Sequence, residues 1–504
     1  MRHSHSIMNT KIYSVTKLRL LTCSASSTAR RAHSLWADGM RYTDNMPCAI
    51  ALRTSIVPLF IGVMAAMAVS ACAGDDGSAN ESNATVAVTI TGVTISGGMS
   101  TADDSDGSSS GSDGDGGGGV KLDLGDDTWV PEDACADVVP QPGDDDYSII
   151  WIANTGEHTV SKIDTETAIE LARYRTGPGD SDPSRTSVNL RGDVAIGNRS
   201  GSVIKIANRT ENCIDTNMNG TIDTSSGPDD IREWGEDECV LWYHDLSFSM
   251  VAGSQGGPRA IAWDGGAASD CYASAKVWVG WRDQPTANVK IRRIDGVTGE
   301  TDAEVLAENW ECNWGHGTYG GAADKEGHFW GLGTRSNLVH VDAFTLEVER
   351  YKGPDVVVYG IALDAEGTPW LGGWDGHLWR FDTDTKEFQD FGAVGASSRM
   401  RGLAIDKDGY AWIAGNEPCA LVQYDLANSS VVNGNINLPG CGEPVGVSID
   451  RLGMVWVVDR TANQAYKIDP MTYESVIVEG LVAPYTYSDM TGQGLELVVN
   501  PPVG

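Results

Sequence analysis

The chain has 504 residues, with 36 Lys and Arg against 70 Asp and Glu, and a formal net charge of −34. Gripping a phosphate backbone needs clustered Lys and Arg, which are absent, so nucleic acid is excluded as a partner. Sixteen Trp and 41% hydrophobic residues can fill a sizeable core, and 60 Gly predict many turns.

Charge divides the chain first. Residues 1–72 hold eight Lys and Arg and two Asp and Glu, while the rest carries a net −40. Residues 54–74 contain no charge, and the apolar run closes on Val69-Ser70-Ala71-Cys72. Length alone would allow a membrane helix, but small residues before a Cys read as a processing site. The stretch resembles the bacterial lipobox, which implies a lipoprotein signal peptide over 1–72, lipidation of Cys72 and attachment to the membrane through lipid alone. Met40 and Met46 are alternative starts, which would make 1–45 an upstream extension. Ala73 rather than Asp after Cys72 favours the outer membrane, with a periplasmic or surface face left open.

Residues 73–145 follow as an Asp/Ser/Gly-rich segment, most extreme between Asp103 and Gly119. It has no apolar surface to offset the entropy of ordering, so a disordered acidic tether is expected.

From residue 146 to 504 short β-type runs alternate with Gly and Asp turns. One unit reads Tyr359-Gly360-Ile361-Ala362-Leu363-Asp364, then Gly367, then Trp370-Leu371. Its counterparts place Trp330, Trp412 and Trp456 six residues after Asp324, Asp406 and Asp450, at Trp spacings of 40, 42 and 44. Weaker copies centre on Trp151, Val194 and Trp278, giving seven of about 40 residues. A repeat of this size with several strands predicts an all-β, seven-bladed β-propeller. The first copy lacks its own inner strand, and Thr491–Val498 at the C-terminus is expected to supply it. An insertion spans 207–250.

The copies resemble the NHL and virginiamycin B lyase-like group of seven-bladed propellers. With the lipobox and tether, the chain also resembles uncharacterised propeller lipoproteins of myxobacteria. The resemblance implies the fold; its motif specifies blade packing, and chemistry has to come from the site.

Seven Cys follow Cys72. In an oxidising compartment they can act as staples, and local pairing predicts Cys213–Cys239, Cys271–Cys312 and Cys419–Cys441, with Cys135 left over. Within the first pair, Asp215, Asn217, Asn219, Thr221 and Asp223 match the opening of an EF-hand-type calcium loop, with Gly220 at its turn. Position 12 is Ser226, so Asp229 or Asp230 would have to reach back. A site without the Glu would bind Ca²⁺ with a Kd on the order of 10⁻⁴ M. The competing reading is an Asn/Asp/Gly-rich turn with no ion.

The residue before each repeat Gly should stand at the mouth of the central channel. That column reads Pro183, Arg259, Tyr319, Tyr359, Arg401 and Val445. Arg259, Tyr319, Tyr359 and Arg401 would suit a small polar, anionic or aromatic ligand. His316 and Glu443 lie in neighbouring loops and could act as base and acid.

The reading is therefore an exported, lipid-anchored, monomeric propeller that binds an envelope protein or a small ligand. One alternative is a virginiamycin B lyase-like C–O lyase using His316, Glu443 and Mg²⁺. The other is a calcium-stiffened structural surface protein. The sequence favours a non-enzyme: no residue pair maps onto the lyase's catalytic set, and the motifs HExxH, GxSxG and GxxxxGK[ST] are absent.

Overall fold

The computed structural model describes residues 135–248, 255–284, 286–311 and 314–502. The signal peptide, Cys72 and residues 73–134 lie outside them, as does Cys312. Among the described residues no helix is long and apolar enough to cross a membrane.

Seven antiparallel sheets of consecutive strands make seven blades. Blade 1 spans residues 149–175 in three strands. Blades 2 to 7 have four strands each and span 183–245, 260–307, 320–352, 358–393, 399–436 and 444–478.

The repeat residues explain the blade. In Asp-x-x-Gly-x-x-Trp, the Asp carbonyl accepts from the Gly amide at 2.9 Å in blades 4, 5 and 7. Gly327, Gly367, Gly409 and Gly453 all have φ near +81°, where a Cβ is strained. One carboxylate oxygen of Asp364 accepts from the Thr368 amide, and the other from the Trp370 indole, both at 2.8 Å. Asp324–Trp330, Asp406–Trp412 and Asp450–Trp456 repeat the indole bond at 3.1, 2.7 and 2.8 Å. Each Asp thus fastens a turn to the Trp that fills the space between blades.

Blade 2 modifies the pattern. Asn189 replaces the Asp, accepting from the Arg191 and Asp193 amides. The strand register puts Ala195, not Val194, in the Trp position, because Ala195 pairs with Ser187 as Trp370 pairs with Ala362. The one-residue difference comes from a short alignment lacking the aromatic marker.

The ring closes at its C-terminus, but not through Thr491–Val498. Residues 482–490 run beside the first strand of blade 1. The Trp151 amide donates to Met490 O at 2.9 Å, the Tyr485 amide to Ala153 O at 3.0 Å, and Asn154 bridges Pro484. The next residues form helix α1 (Gln493–Val499). The Asp489 carboxylate takes the Gly492 and Leu495 amides at 2.8 and 2.9 Å, which turns the chain into a helix. The Leu-Glu-Leu-Val alternation is too short to distinguish a strand from one helical turn. Leu495 packs with Trp263 and Ile361, so the helix closes the end of the channel opposite the mouth. A cavity of about 70 Å³ remains above it, lined by small side chains including Ala262, Ala322, Ala362 and Ala404.

Two of the three predicted disulfides form, Cys213–Cys239 and Cys419–Cys441. Cys271 instead bonds Cys135, with Cα atoms 5.4 Å apart, so Cys135 is not left over and the Cys271–Cys312 pairing is overturned. Local spacing favoured the nearer partner. The fold, however, brings Cys135, in the segment before blade 1, to the loop between the first two strands of blade 3. Arg209 pins the same segment through Asp146 at 2.6 Å and Asp144 at 3.1 Å.

Candidate functional site

The mouth is built by β-bulges. Strand register shifts between Pro183 and Arg185, Val358 and Ile361, Met400 and Leu403, and Pro444 and Gly446. A bulge re-aims the side chain it carries, and here it turns Tyr359 and Arg401 toward the axis. In blade 2 the bulged residue is Ser184, so Pro183 is displaced from the column by one. The repeat Gly follows because inner strands nearly touch. A Cβ on Gly360 would lie 2.6 Å from Arg401 O, and one on Gly402 2.7 Å from Val445 O.

The predicted residues Arg259, Tyr319, Tyr359 and Arg401 do come together, all of them buried. Tyr319 and Tyr359 pack with ring centroids 5.1 Å apart, and Arg401 lies over Tyr359 at 4.7 Å. Arg259 lies over Tyr319 at 5.2 Å. His316 packs on Tyr319 at 4.6 Å. Glu443 is engaged by Arg401 at 2.9 Å and by Arg460 at 3.0 Å, so both its oxygens are already committed to guanidiniums.

Three central residues were not foreseen. Arg185, fully buried, occupies the position held by Gly in blades 4 to 7, a break in the repeat that was a usable signal. Its guanidinium lies over the ring of Tyr487 at 3.0 Å and that of Tyr319 at 5.1 Å. Tyr485 and Tyr487 arrive on the closing segment, which the expected Thr491–Val498 strand had obscured. The Tyr485 hydroxyl accepts from Tyr359 at 2.6 Å and lies 2.8 Å from that of Tyr319.

The cluster has two tiers. Outside, Arg199, Arg399 and Arg460 each pair with a carboxylate, on Asp182, Glu417 and Glu443. Beside them Trp314 and Trp374 pack 5.6 Å apart, both half-buried. Inside, Arg185 and Arg259 have no carboxylate partner among the described residues. Arg185 donates to Ser184 O at 2.6 Å, and its Nε and one terminal nitrogen have no partner. Arg259 donates to Gln255 at 3.3 Å, and its Nε is also unpartnered.

Electrostatics follow from this geometry. Burial lowers the pKa of Arg185 and of Arg259, opposed chiefly by nearby Tyr319. His316 is held well below its usual value by burial and by Arg259, Arg185 and Arg199. It is therefore neutral, with Nε2 3.3 Å from Gln255 Oε1 and Nδ1 buried without a partner.

The calcium-like loop sits apart, in the insertion of blade 2. Asp215 accepts from the Asn219 and Gly220 amides at 3.1 and 2.8 Å. Asn217 and Asn219 both reach the Asp223 carboxylate at 2.8 Å, and Thr221 bonds Asn219 at 2.7 Å. Asp230, rather than Asp229, turns back, and it binds Ser226. The unforeseen member is Glu238, which the Cys213–Cys239 bond brings onto the loop. Its carboxylate accepts the Thr216, Asn217 and Asp223 amides, the last at 2.8 Å. Those bonds, the Asp223 amide first, lower its pKa. Asp324, His328 and His340 also converge, and hydrogen bonds within the fold already engage the first two. Asp324 holds the His328 amide and the Trp330 indole, and His328 Nδ1 accepts the Ala343 amide.

No protein-family model matches the chain, and no curated protein matches it. Its fold is similar to a streptogramin B lyase at 12% identity and TM-score 0.45, covering 62% of this chain and 87% of that one. A virginiamycin B lyase from Staphylococcus aureus aligns at 12% identity and TM-score 0.44, covering 62% and 91%. The RRP9 WD40 repeats align at 12% and 0.43, covering 63% and 85%. These likenesses concern the fold alone.

Proposed function

We propose that this propeller is a binding module, anchored at the cell envelope through lipid on Cys72, whose channel mouth receives a small anionic ligand with a flat apolar body. The observation that carries the reading is the burial of Arg185 and Arg259 with no carboxylate to meet them among the described residues. Removing a guanidinium from water costs several kcal/mol unless a counter-charge repays it. The chain has a large excess of acids, yet among the described residues none pairs with these two arginines. Their fixed, planar donors suit a carboxylate or phosphoryl head, while Trp314 and Trp374 offer a surface for an aromatic body.

Differential scanning fluorimetry of the full chain tests this. Phenyl phosphate should raise the melting temperature more than inorganic phosphate, and benzylamine should not raise it. Arg259→Gln should remove most of the gain. Equal response to benzylamine and phenyl phosphate, or no response to either, would sink the reading.

The loop at Asp215, Asn217, Asn219, Thr221 and Asp223 is read as a weak Ca²⁺ site that stiffens the insertion.

A further inference from the structure

The mouth contains a counter-charge of its own, and this inference rests on the anion-binding reading just given. Three phenols meet at one point: the Tyr485 oxygen receives the Tyr359 proton and lies 2.8 Å from the Tyr319 oxygen. No further acceptor for Tyr485 stands within hydrogen-bond distance among the described residues. If Tyr319 also donates to it, the Tyr485 proton has nowhere to go within the protein.

The surroundings are cationic on every side. Arg185 from blade 2 lies 5.3 Å from the Tyr485 ring centroid, Arg199 from the following turn 5.5 Å, and Arg460 from blade 7 5.6 Å. Arg259 adds its charge from the approach to blade 3, and His316 stays neutral. The carboxylates in range, Asp182 and Glu443, are already paired with Arg199, Arg401 and Arg460.

We propose that Tyr485 is the exchangeable counter-charge of the site: in the free protein on the alkaline side of neutrality its phenol releases its proton to solvent and faces Arg185 and Arg259 as phenolate, and it takes a proton back from solvent when the anionic head of a ligand arrives. Two negative groups beside the same two arginines would repel, so binding and proton uptake are one linked event. Once Tyr485 is ionised, the balance is one proton gained per ligand bound, with no bond made or broken in the ligand.

The electrostatics agree. Burial alone would raise the pKa of the Tyr485 phenol, but Arg185 and Arg259 and the bonds from Tyr319 and Tyr359 bring it down to about 8. Tyr319 and Tyr359 move the other way, through burial and the charge of their neighbouring phenols. One negative charge in the trio is thus favoured, and it belongs on Tyr485.

Absorbance at 295 nm reads tyrosinate directly. In a pH titration of the full chain, one of the 15 Tyr should ionise ahead of the rest. Tyr485→Phe should delete that step. Should this variant fold poorly, Arg259→Gln keeps Tyr485 and should move the step toward the ordinary value near 10. Saturating phenyl phosphate should raise its midpoint by about one unit or more, a tenfold change in proton affinity. Titration calorimetry above the midpoint of that step, in two buffers of different ionisation enthalpy, should show a proton taken up. A step that survives Tyr485→Phe, or that ignores Arg259→Gln, would overturn the assignment. Phenyl phosphate that stabilises the protein without moving the step would overturn the exchange and leave the anion site standing. An early step with no stabilisation by any anion would overturn both the exchange and the binding reading on which it rests.

Discussion

The backbone amide of Trp151 donates to the carbonyl of Met490 at 2.9 Å, so the front of the ring and its end share one sheet edge. Blade 1 has only three strands of its own, and residues 482–490 cover the edge it would otherwise expose. Deleting residues 481–504 should therefore abolish the cooperative thermal transition. Deleting only 493–504 removes α1 and the burial of Leu495 and Val498, at a cost of about 2 kcal/mol each, but keeps the seam. That shorter deletion should melt lower and still cooperatively. Parallel melts followed by circular dichroism distinguish the two, and equal loss in both would contradict this account of closure.

Glu443 ties two arginines together, and Arg401 is the buried one. Glu443→Gln leaves the Arg401 guanidinium without its carboxylate and should cost about 3 kcal/mol in urea unfolding. Arg460→Ala touches the same carboxylate from an exposed position and should cost less than about 1 kcal/mol. Reversed magnitudes would refute this division.

The Asp residues fall into two groups with opposite pH signs. Burial raises the pKa of Asp264 to about 6 and lifts those of Asp406 and Asp450. Backbone amides lower those of the hairpin caps Asp342, Asp382 and Asp469. A raised folded value means that the native state binds the extra proton, so stability falls as pH rises from about 4 through 6. A lowered value contributes stability above about 4 and loses it as pH falls through the folded value. Urea midpoints should thus decline from about pH 4 to pH 6 and collapse below pH 3. Asp264→Asn should flatten the upper decline, and an unchanged slope would exclude Asp264 as a cause.

Asp450 fastens the Trp456 indole and the Leu452 and Met454 amides from a buried position. Asp450→Ala orphans those donors and should cost about 3 kcal/mol, against less than about 1 kcal/mol for the exposed Asp408→Ala. Both are read from chemical denaturation.

For the calcium-like loop, millimolar Ca²⁺ should raise the melting temperature and Mg²⁺ should raise it less. Asp215→Ala should abolish the Ca²⁺ effect. No Ca²⁺-dependent change would remove the metal from this loop.

The blades were legible because each repeat residue has a local duty: Gly at the close approach, Asp and Gly at the turn, Trp between sheets. Arg259, Tyr319, Tyr359 and Arg401 were legible for the same reason, as positions counted from a repeat Gly. What escaped was whatever departs from the repeat. Arg185 stands where the count expects Gly, and Ser184 where Pro183 was placed. Tyr485 and Tyr487 belong to a strand that has no turn motif of its own. The Cys135–Cys271 bond spans 136 residues of sequence, a pairing that local spacing cannot reveal.

That bond also decides how the molecule would carry load. A pull on the chain ahead of Cys135 meets the covalent link to Cys271 before it reaches the first strand at Ile149. The residues between them form a slack bypass, and tension passes into blade 3, whose four strands are paired within one continuous stretch of chain. Tension arriving from the N-terminal side is thereby kept off the Trp151 side of the seam with Met490. Reduction of the Cys135–Cys271 bond would reroute the same tension onto that seam.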